Sequence, residues 1–176
     1  AGFTVVTERD LDSKDLALAL KKFLDTYGAD ERNQLLVYFA SHGATDSLTG
    51  NGYIVPTDAP LPDENPGEFR SKSLSMNIIK AMAKDIVARH VLFVFDSCFA
   101  GTIFGVDRSA PRSVRDGLNK KVRFFITAGA ATERVLDRSI FRDQFVRGIL
   151  GAADVGAQKD EVITDVELGR FLVTEV

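Results

Sequence analysis

At 176 residues, 45% hydrophobic and 27% charged, the chain has the size and composition of one globular domain, long enough to bury a core. A net charge of −3 gives no basic footprint for nucleic acid, and no apolar run nears the ~20 residues of a membrane span, so neither nucleic acid nor a membrane is an expected partner. A single cysteine excludes an internal disulfide, and the start "AGFTVVTERD" has neither the basic region nor the apolar segment of a signal peptide, so a reducing, cytoplasmic setting is the expectation.

Taken in order, "FTVV" (3–6) reads as a short strand. Asp12 or Ser13 then caps a helix with Leu16, Leu20, Phe23, Leu24 and Tyr27 at helical spacing, ended by Gly28. "QLLVYFA" (34–40) is a fully apolar strand, and a Gly-, Asn-, Asp- and Pro-rich loop follows from Gly43 to Gly67, with the extended piece "GYIVP" inside it. Ser75 opens a second helix carrying Ile78, Ile79, Met82, Ile86 and Val87, which leads into "HVLFVFD" (90–96). "VRFFITAG" (122–129) is another strand, and a helix near 138–150 carries Ile140, Phe141, Phe145, Val146 and Ile149. The box Thr164-Asp165-Val166-Glu167 starts a last helix that runs to the end.

Continuous apolar strands alternating with amphipathic helices predict an α/β domain, its mostly parallel sheet covered by helices on both faces. In such sheets the chemistry gathers at the carboxyl ends of the strands. Two residues stand there: His42 in "VYFASHG" and Cys98, the single thiol, in "VLFVFDSCFAG". A catalytic thiol needs a base or cation at the same edge, and His42 is the candidate, because His90 precedes its strand and falls at the opposite edge. Gly43 is expected to turn the backbone sharply and leave its N–H uncovered, so that it and the Cys98 N–H could hold a developing oxyanion. The reaction class is acyl transfer. Composition and spacing alone leave open that Cys98 is an inert core residue and His42 a turn residue.

"VYFASHG" and "FVFDSCFAG" together resemble the two signature segments of caspase-like cysteine peptidases, and most closely the metacaspase branch with its bacterial orthocaspases. The segments "YIVPTDA", "RFFITAGAATERV", "SIFRDQFVRGI" and "VITDVELGRFL" extend the similarity over nearly the whole chain. The resemblance implies a caspase-like fold, a single peptidase domain over 1–176, Cys98 as nucleophile, His42 as its base or thiolate partner, and Gly43 with Cys98 in the oxyanion hole. It implies that Asp96 lies in the pocket for the residue before the cut, with Ala40 and Ala128 as further pocket residues, and so a preference for protein or peptide substrates with Arg or Lys at that place. No cofactor is implied.

Three departures qualify the likeness. Ala40 and Ser41 stand where the branch usually has a small polar residue and Gly. Asn51, Ser75, Met76 and Gly105 stand where calcium-activated members carry acids, so no metal site is expected. Finally, the branch's first strand and helix, which precede "GFTVV" and fill the sheet between 3–6 and 34–40, are missing here. An N-terminal segment from the same precursor or another chain is therefore an expected partner. The polar loop 105–121 offers Arg108, Arg112 and Arg115 to a basic-directed peptidase, so self-cleavage is expected there, at 112 or 115 before 108. A catalytically inactive caspase-like signalling or assembly module, or a Cys/His peptidase of another specificity of the gingipain, legumain or separase kind, are the alternatives. A nucleotide-binding domain is disfavoured, since no glycine-rich phosphate loop follows a strand.

Overall fold

A computed structural model describes residues 2–97, 121–128, 140–154 and 162–176. In chain order its elements are α1 (Ser13–Tyr27), β1 (Gln34–Ala40), β2 (His42–Thr45), β3 (Gly52–Val55), α2 (Pro66–Lys72), β4 (Leu74–Ser75), α3 (Met76–Asp85), β5 (His90–Asp96), β6 (Val122–Thr127), α4 (Ile140–Arg147) running on into a π-type turn (Gly148–Ala152), and α5 (Asp165–Glu175). The sheet that organises them is parallel, in the order β1-β5-β6. A small antiparallel sheet, β2-β3-β4, leaves the carboxyl end of β1.

The strands' two-residue period divides the core into two layers. Leu35, Phe39, Val91, Phe93 and Phe95 face α1 and α3, where they meet Leu20, Leu24, Ile79 and Ala83. The rings of Phe39 and Phe95 stack at 5.0 Å, and those of Phe93 and Phe125 at 5.1 Å. On the opposite face, Leu36, Tyr38, Leu92, Val94 and Ile126 meet Phe141 and Phe145 of α4 and Leu168 and Leu172 of α5. The fold is thus α/β, a parallel sheet with helices on both faces, as the sequence predicts. β5 lies between its two partners and is the most deeply buried strand of this sheet, which is why it reads as an unbroken apolar run.

Local signals set the helix ends. Asp12 caps α1 by accepting from the Lys14 and Asp15 N–H groups, Ser75 caps α3, and Thr164 with Glu167 closes the predicted capping box of α5. Below the sheet Arg123 of β6 turns back and donates to the carbonyls of Ala83, Ile86, Arg89 and Val122, gathering the end of α3 and the start of β5 around one guanidinium.

Several expectations are corrected. Residues 3–6 form no strand; the segment 2–9 is exposed and joins no ladder among the described residues, and a strand needs a partner's ladder. The stretch from Gly43 to Gly67 is not one loop: it holds the β2–β3 hairpin and the start of α2. The hairpin is locked by the buried Asp46, which accepts from the Leu48 N–H, the Thr49 hydroxyl and Arg70. Gly43 lies within β2 opposite Ile54, so it makes no sharp turn; the left-handed glycines among the described residues are Gly50 and Gly151. α3 stops at Asp85, and its buried face is Met76, Ile79 and Ala83, which leaves Ile78 and Val87 exposed. β6 ends at Thr127, and of the helix expected near 138–150 the described residues are α-helical over Ile140–Arg147, with Ile140, Val146 and Ile149 exposed beside the buried Phe141 and Phe145; positions 138 and 139 lie outside the described residues.

Candidate active site

Register brings the sequence's candidates to one edge. β1 and β5 run parallel with Ala40 opposite Asp96, so both strands end together at the carboxyl edge, while His90 lies opposite Gln34 at the other end of the pair. One residue further on, the two chains are joined again. The Ser97 hydroxyl, fully buried, donates to the Ser41 carbonyl at 2.8 Å, and the two hydroxyls are 3.3 Å apart. Ser41 precedes His42 and Ser97 precedes Cys98, so the bond joins the residues immediately before the two proposed catalytic positions. Cys98 itself lies outside the described residues, as do Arg108, Arg112 and Arg115, nearly all of the loop 105–121, and Gly105, one of the residues that stand in place of the calcium-binding acids.

The edge opens into a cavity of about 1230 Å³. Ala40, His42, Gly43, Asp96 and Ser97 all line it, and it extends along β1 towards α1 and the segment around Val6 and Glu8. His42 is exposed to it as the first residue of β2. Ala128 is placed differently: its N–H continues the β5–β6 ladder by donating to Phe95, its side chain packs into the second core layer, and it is not among the described residues that line the cavity. Among the described residues no strand pairs with the free edge of β1, along which the cavity runs.

Asp96 is buried, and its Oδ2 accepts a 2.8 Å hydrogen bond from the Tyr38 hydroxyl. The pairing follows from the strands: Tyr38 lies opposite Val94, so Asp96 is its diagonal neighbour on the same face, within reach of a tyrosine. Burial, and then the hydrogen bond and charge of Asp96, push the Tyr38 phenol above its ordinary range, so it remains a neutral donor. Arg142 of α4 also lines the cavity; its guanidinium bonds Asp143, and its charge acts on both Tyr38 and Asp96. Sequence reasoning missed both Tyr38 and Arg142. The available signal was the alternation that puts Tyr38 in the row of Leu36 and Asp96 in the row of Leu92 and Val94.

Comparison with known proteins agrees with this architecture. A family model for the caspase domain, a family of cysteine-type peptidases, matches residues 1–163. No curated protein matches the chain. No helix among the described residues is long and apolar enough to cross a membrane. The match spans the parallel sheet, its carboxyl-edge cavity and both segments that carry His42 and Cys98, and the chain belongs to the caspase domain family.

Proposed function

We propose that the chain is a cysteine endopeptidase of the metacaspase or orthocaspase type that cuts after Arg or Lys. The observation that carries the reading is the β1–β5 corner: the residues before His42 and Cys98 are hydrogen-bonded to one another at the mouth of a cavity whose wall includes a buried acid. The Cys98 thiolate, its proton held by His42, adds to the scissile carbonyl carbon, and the Gly43 and Cys98 N–H groups hold the oxyanion. His42 then protonates the leaving amine, and water hydrolyses the thioester to release the acid and restore the thiol. Asp96 receives the basic side chain by a charge-assisted hydrogen bond and disfavours an acidic one.

Two further features belong to this reading. The free edge of β1 and the cavity beside it suit an added strand, supplied by a segment from the same precursor or by another chain. Asn51 and Ser75 stand where calcium-activated members carry acids, and their oxygens accept from Asn77; without those carboxylates turnover needs no calcium. The arginines of the loop 105–121 are the first substrates, with cleavage at Arg112 or Arg115 ahead of Arg108.

A panel of fluorogenic peptides with Arg, Lys, Asn or Asp before the cut, read with chelator and with calcium, tests the activity. Preference for Arg and Lys, lost in Cys98→Ala, is expected; cleavage after Asn or Asp, or none by the intact protein, refutes it. Mass spectrometry of the protein beside its Cys98→Ala variant reads self-cleavage as fragments ending at the named arginines.

A further inference from the structure

The Tyr38 hydroxyl is joined to the acid of the cavity wall, and nothing in the proposed chemistry uses it. Its ring is half-buried and packs on Phe145 with centroids 5.9 Å apart, so the hydroxyl is delivered from a fixed platform. Asp96 is the last residue of β5, and a carboxylate at a strand end can rotate about two side-chain bonds. Arg142 lines the same cavity, and its charge acts on Asp96. Tyr38 holds it through a 2.8 Å bond to Oδ2.

We propose that Tyr38 is a specificity-setting positioning residue: by donating to Oδ2 of Asp96 it fixes the carboxylate in the orientation that receives a basic side chain. The inference rests on the reading of Asp96 as the acid that meets the residue before the cut. Among the described residues, the charged groups that act on Tyr38 besides Asp96 are Arg142 and Asp143, both on α4, and these two pair with each other. Tyr38 is thus a neutral contact that bears on the acid's direction without changing the charge of the pocket.

The test compares kcat/KM for two peptides identical except for Arg or its neutral isostere citrulline before the cut, in the wild type, Tyr38→Phe and Asp96→Asn. Phenylalanine keeps the ring on Phe145 and removes the hydroxyl alone, and thermal unfolding of each variant checks the fold. Tyr38→Phe should lower the Arg-over-citrulline ratio about tenfold, as expected for one lost hydrogen bond to a charged group, chiefly through KM for the Arg peptide. An unchanged ratio in Tyr38→Phe with a collapsed ratio in Asp96→Asn overturns the role of Tyr38 and leaves that of Asp96 standing. An unchanged ratio in Asp96→Asn, or no preference for Arg in the wild type, removes the underlying reading and this inference with it.

Discussion

Ser97→Ala tests whether the β1–β5 corner is more than packing. Ser97 is 2% exposed and donates to the Ser41 carbonyl at 2.8 Å, whereas the contact between the two hydroxyls is longer, at 3.3 Å. Removing Oγ97 leaves a carbonyl in a poorly hydrated corner without this donor, a loss of about 1.5 kcal/mol. For a domain of this size that lowers the thermal midpoint by roughly 3–6 °C. If the bond also holds the residues after Ser41 and Ser97 in their reacting relation, a similar energy appears in the barrier, as about a tenfold lower kcat. Ser41→Ala removes only the longer contact and keeps the carbonyl, so its effect on both quantities should be the smaller. Urea or thermal denaturation reads stability, and single-turnover cleavage of an Arg peptide reads kcat. A loss of stability with kcat unchanged, or a larger effect from Ser41→Ala than from Ser97→Ala, refutes the reasoning.

Other outcomes follow from the same geometry. Arg123→Met deprives four carbonyls of their donor and should cost about 2–4 kcal/mol in urea denaturation, and Arg123→Lys, a point charge without the fork, should recover less than half of it. Hydrogen bonds from the Leu48 N–H, Arg70 and Thr49 hold the Asp46 carboxyl below its ordinary range, so its contribution is present above about pH 4 and is lost as pH falls through its lower folded value; the wild-type midpoint should drop in that acid window more steeply than that of Asp46→Asn. Arg142→Gln removes a cation from the wall that Asp96 shares and should lower KM for Arg peptides about two- to threefold at low salt, less at high salt, since the guanidinium is partly exposed.

The sheet was legible because β1, β5 and β6 are continuous apolar runs, and a parallel strand covered on both faces must be one. The helix caps were legible because Asp12, Ser75 and Thr164 act on neighbours two or three residues away. What pairing decides was not. Residues 3–6 have the composition of a strand, yet strand formation depends on a partner that local sequence does not name. His42–Thr45 has no apolar alternation and becomes a strand only by lying against Gly52–Val55. The site divides along the same line: the strand-end positions of His42 and Asp96 could be read from the ends of the apolar runs, whereas the Ser41–Ser97 and Tyr38–Asp96 bonds depend on the register of two strands 56 and 58 residues apart. Arg123 reads as a surface cation at the start of a strand, and three of its four acceptors, the carbonyls of Ala83, Ile86 and Arg89, come from segments that only the folded chain brings beneath it.

The central claim is that Cys98 is a nucleophile activated by His42 in a pocket for basic residues, and covalent capture tests it most directly. A peptidyl acyloxymethyl ketone ending in Arg should add one equivalent to the protein, mapped by mass spectrometry to Cys98, the single cysteine. The adduct should form far more slowly in His42→Ala, and hardly at all with the matching Asp reagent. Labelling that is equally fast in His42→Ala, or that favours the Asp reagent, or a Cys98 that the Arg reagent leaves untouched, would contradict the account.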